Sequence, residues 1–211
     1  MALFRKAKKG SYQEFKEIAD RVEGKASQRM TTILIDRVHR LVQATAEARP
    51  TAQLALANIT ANTAPGRQRM LGFRSVEEAK SIVLGDAVAV YYVPLDKLKT
   101  YVAGSDAKAL LYGGNELLYQ VMAGTEARSS VTVEKVNSVW KVTTMGRPAL
   151  AKTLFSMRNE NAQKPKTGTT SYFEVFVPAL NLRFLGHLLE SQFFLVPMKS
   201  DVTLDFRAGK A

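Results

Sequence analysis

Two serine–lysine pairs and one lysine–threonine–glycine triplet have the residue types and spacing of an acylating serine enzyme. They are Ser138-Val-Trp-Lys141, Ser105-Asp-Ala-Lys108 and Lys166-Thr167-Gly168. In such enzymes the S-x-x-K serine is the nucleophile and its lysine the proton-handling partner. That chemistry needs the serine at a helix start, so that the lysine one turn on reaches its hydroxyl. Here Ser138 falls between two strand-like runs and Lys141 lies on the second, where positions i and i+3 face opposite sides. No S-D-N lies between Ser138 and Lys166, and Lys166–Gly168 sits in a polar loop. The spacing therefore predicts a hairpin rather than a nucleophile, and no catalytic residue is expected.

Other reactive sets are sparse. The two histidines, His39 and His187, stand on unrelated segments, and no HExxH or carboxylate-rich loop accompanies them. No metal ligand set is expected, and His187, in an apolar run, reads as a structural histidine. There is no Walker A loop and no G-x-G-x-x-G, and no cofactor is expected; Gly113-Gly114 reads as a turn. The absence of cysteine excludes disulfides and thiolate chemistry without fixing a compartment.

Charge is the less ordinary feature. The 211 residues include 30 Lys+Arg against 19 Asp+Glu, a net charge of +11, densest over residues 1–49 with 11 basic and 6 acidic groups. Such a field concentrates anionic partners. On the strands, Tyr91, Tyr92, Trp140, Phe173 and Phe176 lie near Lys135, Lys141 and Arg128, as a stacking platform for single strands would. Core packing is the expected role of each ring, because Trp140 alternates with Val142 as a core residue does. The better route to nucleic acid is phosphate contact by Lys6, Lys8, Lys9, Arg29, Arg37 and Arg40 on the N-terminal helices.

The elements that must carry these residues read as follows. Ser11 and Glu14 form a capping box that opens a helix over 11–23, closed by Gly24. A second helix is expected from Ser27 to about Arg49, stopped by Pro50; residues 51–64 read as a poorly specified helix or a linker. Ser75 and Glu78 cap a helix ending at Leu84-Gly85, and strands are expected at 87–93, 116–123, 129–135, 139–144, 171–178 and 192–197. Short helices are expected around 95–101 and 106–112. Pro148 opens a helix over 149–158 whose Leu150, Leu154 and Met157 face one way. Trp140 and Val142 are candidates to pack on Leu150 and Leu154. The expected fold is α+β: a largely antiparallel sheet of about six short strands with helices on one face, preceded by an N-terminal helical region. Residues 1–65 form that basic region, an arm or packed helices, and residues 66–211 the α+β domain.

The order of segments at 71–84 (LGFRSVEEAKSIVL), 87–101 (AVAVYYVPLDKLKTY), 129–155 and 177–186 (VPALNLRFLG) resembles a group of uncharacterised bacterial exported proteins and lipoproteins built around a small α+β domain. The resemblance spans about residues 71–211, rests on structural motifs and carries over no catalytic residue. It implies a binding or structural domain. Such proteins start with a signal peptide where this sequence has a basic helix, so a cytoplasmic location is expected unless the sequence is a processed form. No run approaches a membrane span. Two functions follow: a non-catalytic structural or partner-binding protein working through protein–protein contacts or as a homo-oligomer, and a basic nucleic-acid-associated protein of a phage or mobile element.

Overall fold

The computed structural model describes residues 28–102, 105–162, 172–189, 192–201 and 207–208, and side chains at 28–39, 162, 188–189 and 192–193 lie outside that description. The helix expected over 11–23 and the triplet Lys166–Gly168 also lie outside the described residues. The chain runs through helices α1 (Gln28–Asn62), α2 (Arg67–Met70) and α3 (Val76–Lys80), then strand β1 (Val83–Tyr92) and helix α4 (Leu95–Lys99). A 3-10 turn (Ala107–Leu110) leads to strands β2 (Tyr112–Ala123), β3 (Glu126–Val136) and β4 (Val139–Gly146). Helix α5 (Pro148–Ala162) precedes β5 (Tyr172–Val177), a 3-10 turn (Pro178–Leu180), β6 (Leu182–Leu189) and β7 (Gln192–Pro197).

The seven strands form one sheet in the order β4-β3-β2-β1-β5-β6-β7. Every neighbouring pair is antiparallel except β1–β5. This is the expected α+β architecture, with β6 as an added strand. The 182–189 run lacks period-2 alternation because both faces of β6 are covered: Phe184 packs in the α1-side cluster and Leu185 in the α5-side cluster.

Helices expected on one face occupy both. On one side, Ala48, Ala52, Ala55 and Ile59 of α1 pack with Ala89, Leu117, Tyr119, Val131, Val175 and Phe184. On the other, Leu154 and Met157 of α5 pack with Val88, Val90, Leu118, Leu185 and Val196. Consecutive β1 residues 88, 89 and 90 alternate between these clusters, as strand geometry requires. The predicted apolar stripe of α5 is the stripe observed, with Leu150 at its margin.

Proline 50 does not stop the second helix: α1 runs through it. A proline in a helix removes the bond to the carbonyl four residues back, here that of Ala46. Ala46 and Pro50 both lie on the exposed side of the helix, where loss of that bond costs least, while Ala48 and Ala52 on either side are fully buried. Residues 51–62 are therefore helix because an alanine face docks on the sheet. Two contacts fix it there: the Tyr119 hydroxyl donates to the Thr45 carbonyl at 2.5 Å, and Arg49 donates to the Leu84 carbonyl at 3.0 Å.

Ser75 caps α3 as expected, its Oγ accepting from the Glu78 N–H at 3.1 Å, while the Glu78 carboxylate accepts from the Arg74 N–H rather than that of Ser75, and α3 ends at Lys80 rather than Leu84. Ile82 and Leu84 are instead buried in the core ahead of a bulge between Leu84 and Ala87. Gly113-Gly114 is not the turn expected: both lie in β2 with φ of 110° and 91°, where the β1–β2 register shifts.

Candidate interaction site

The parallel register of β1 with β5 sets Glu174 beside Val90 and Phe176 beside Tyr92, and the β5–β6 ladder sets Arg183 opposite Phe176. These side chains share the α5 face of the sheet. The Glu174 side chain is 1% exposed and pairs with Arg183, whose guanidinium lies over the Phe176 ring at 3.8 Å from its centroid. Tyr92 meets Phe176 edge-on at 6.1 Å and donates to Glu116 Oε2 at 2.5 Å.

Burial pushes the Glu174 carboxyl above its ordinary range, against the opposing pull of Arg183 and, more weakly, Arg147. Burial likewise raises the Tyr92 hydroxyl, reinforced by its bond to Glu116. A raised carboxyl is a feature that general acids share. At 1% exposure, however, it meets Arg183 rather than a substrate. The pair and the ring together fix one guanidinium, which makes the cluster a half-buried brace around a buried carboxyl.

The sequence-selected residues scatter. Asn137 and Ser138 form the two-residue β3–β4 turn with φ of 50° and 65°, the doubly left-handed turn that suits a tight hairpin. Ser138 and Lys141 are both exposed there, Ser138 at the turn and Lys141 on β4. Ser105 Oγ donates to the Val102 carbonyl. His187 is buried and stacked on Phe194, ring centroids 5.0 Å apart. Arg128 is buried between Glu78 at 3.0 Å and Glu126 at 2.8 Å, and Lys135 pairs with Glu47 at 2.7 Å. Lys135 also sits over the Trp140 ring at 5.6 Å.

Trp140 does not reach Leu150 and Leu154. It is half-buried against the α1 cluster, on the opposite side of the sheet from α5. Its position across from Lys135 on β3 dictates that side. Of the candidate phosphate contacts, Arg40 is exposed on α1; Arg29 and Arg37 lie on the same helix with side chains outside the described residues, and Lys6, Lys8 and Lys9 lie outside them altogether. Among the described residues, no three His, Asp or Glu side chains gather as a metal would require.

What reading the sequence missed is the exposure of β4. Among the described residues, this strand closes the sheet on one side and pairs with β3 alone. Its Val139, Val142 and Met145 are 57%, 38% and 46% exposed, and Lys141 and Thr143 are also open to solvent. A terminal strand leaves half its backbone N–H and C=O groups free for another chain. The strand itself was legible at 139–144; its place at the end of the sheet depends on a crossover that periodicity does not reveal.

No protein-family model, curated protein or solved structure matches this chain. Among the described residues, no helix is long and apolar enough to cross a membrane.

Proposed function

We propose that this chain is a non-catalytic partner-binding protein that takes an extended segment of another protein onto the β4 edge. The supporting observation is a terminal strand with three exposed apolar side chains, Val139, Val142 and Met145. Terminal strands are commonly shielded by several charges, prolines or a covering element. Among the described residues, β4 itself carries one cation, Lys141, and one bulge, between Thr132 and Val133 of β3 and the β4 residues they face. Strand addition uses such an edge: main-chain bonds supply affinity and alternate side chains supply selectivity.

A photo-crosslinking amino acid at Val142 or Met145, compared with one at the exposed Lys152 of α5, tests this in the source cells. Discrete protein adducts from the two β4 positions, absent from position 152 and unchanged by nuclease, are expected. Adducts equal at all three positions would refute strand capture. The competing reading rests on the +11 charge and the exposed Arg40. It requires adducts that vanish on nuclease treatment, and DNA affinity that falls steeply with salt and with Lys6, Lys8 and Lys9→Gln. Truncation before residue 50 would not test it, because Leu41, Ala44 and Ala48 belong to the core.

A further inference from the structure

We infer that the open end of the α5 face takes an arginine side chain of a partner protein, at a site separate from the β4 edge. Val90 of β1 pairs with Glu116 of β2 on one side and Glu174 of β5 on the other, and Glu116 pairs in turn with Glu134 of β3. Residues paired across strands share a face, so three carboxylates stand on the α5 side of four neighbouring strands. Two residues further along β1, Tyr92 pairs with Tyr112 and with Phe176, which sets three rings beside those acids.

The chain itself completes half of this array. Arg183 pairs with Glu174 and covers the Phe176 ring, 3.8 Å from its centroid. The other half has a ring and two carboxylates without a paired cation. Glu116 and Glu134 are half-buried and directly opposite one another, and like charges so placed are destabilising. Their hydrogen-bond partners are neutral: Glu116 Oε2 accepts from the Tyr92 hydroxyl at 2.5 Å, and Glu134 Oε1 from the Asn115 amide at 3.4 Å. Three cations come near. Among the described residues, Lys141 across from Glu134, Lys97 at 5.9 Å from the Tyr112 ring centre, and Arg147, whose charge is felt at Glu174 and Tyr92, form no ion pair with either carboxylate.

A second observation points to the same place. Glu174 is 1% exposed, and its Oε2 has no hydrogen-bond partner although Oε1 is held by Arg183. Burial raises both the Tyr92 hydroxyl and the Glu174 carboxyl, and the Glu116 charge adds to each, so the three groups share one field. A cation beside Glu116 eases all of these charges at once. Guanidinium fits better than ammonium, because its planar fork bridges two carboxylates while its face lies on a ring. Arg183 makes that arrangement one strand pair away. The site is also shallow, with Tyr112 65% exposed, whereas small-molecule sites enclose most of their ligand. The geometry therefore suits a side chain carried by a protein.

The probes are short serine–glycine peptides carrying one central arginine, lysine or citrulline, the last keeping the shape without the charge. They are titrated into nitrogen-labelled protein and followed through the backbone amides of residues 112–116 and 134. We expect saturable shifts there with the arginine peptide, much smaller ones with lysine and none with citrulline. Binding should be about tenfold weaker in Glu116→Gln and in Glu134→Gln, as loss of a hydrogen bond to a charged group implies. Glu77→Gln, which removes an exposed carboxylate on α3, should bind as wild type does. Each glutamine keeps a carbonyl for Tyr92 or Asn115, and the spectrum itself reports folding; should a variant not fold, the three peptides on wild type still decide. Equal shifts from citrulline or lysine, or wild-type affinity in either variant at 116 or 134, would overturn the inference. Methylguanidinium binding more tightly than the arginine peptide would also overturn it, by making the occupant a small molecule. If the peptides discriminate while crosslinks from β4 fail, this site stands and the edge does not; the reverse result ends this inference and leaves the edge.

Discussion

Glu174 shows at the scale of one residue how much the packing decides. Its carboxyl is raised by burial more than Arg183 lowers it. A group whose folded pKa lies above its unfolded value contributes stability below the unfolded pKa and loses it as pH rises through the folded one. Glu47, Glu77 and Glu78 carry the opposite sign: their lowered carboxyls stabilise above the unfolded value and lose that contribution on acidification. A total stability curve mixes the two, so the difference between wild type and Glu174→Gln isolates the first. That difference should shrink as pH is raised above about 4.5, measured by urea unfolding at successive pH values. A difference growing with pH would mean that Arg183 outweighs the burial. Nothing in "SYFEVFV" marks Glu174 as such a group. Its neighbours come from β1 and β6, which no local spacing connects. Ser138, by contrast, was legible, because a two-residue turn between alternating runs is a local signal.

At the scale of elements, local rules succeeded where the element is its own context and failed where the sheet overrode them. The α5 stripe, the Ser75 cap and the β3–β4 hairpin follow from spacing alone. The continuation of α1 does not, since proline in a helix interior is unfavourable by about 3 kcal/mol relative to alanine. It persists because the buried Ala48, Ala52 and Ala55 form one face on either side of Pro50. These alanines carry little hydrophobic signal, which is why 51–64 read as ambiguous, yet their small size lets the helix lie close to the sheet. Pro50→Ala should therefore raise stability by about 1–3 kcal/mol, the restored Ala46 carbonyl bond outweighing the extra freedom of the unfolded chain. Chemical denaturation at fixed pH measures it, and a loss of stability would show that α1 needs the bend a proline imposes. Strand β6 failed to register for the reciprocal reason: burial on both faces erases the alternation by which a strand is recognised.

At the scale of the molecule, the sheet consists of two antiparallel runs, β1–β4 and β5–β7, joined by the single parallel pair β1–β5. A junction of four paired positions is a plausible place for a sheet to come apart. The side chains argue otherwise. The α1-side cluster takes Leu117 and Val131 from one run and Val175 and Phe184 from the other, and the α5-side cluster joins Leu118 to Leu185 and Val196. Both cores thus span the junction, and separating the runs would expose apolar surface on two faces at once, at about 25 cal/mol per Å². The chain should accordingly unfold as one unit, and its composition offers a direct check. Trp140 reports on the β4 end, and because there is no native cysteine, a cysteine at the exposed Lys199, next to the β7 end, takes a dye uniquely. In urea the two signals should share one midpoint and one slope. Leu154→Ala, which empties part of the α5-side core, should move both together by about 2–5 kcal/mol. A dye transition that precedes the tryptophan transition, with Leu154→Ala shifting one and not the other, would make β5–β7 a separate folding unit. The β4 edge would then belong to a four-stranded module able to hold a partner without it.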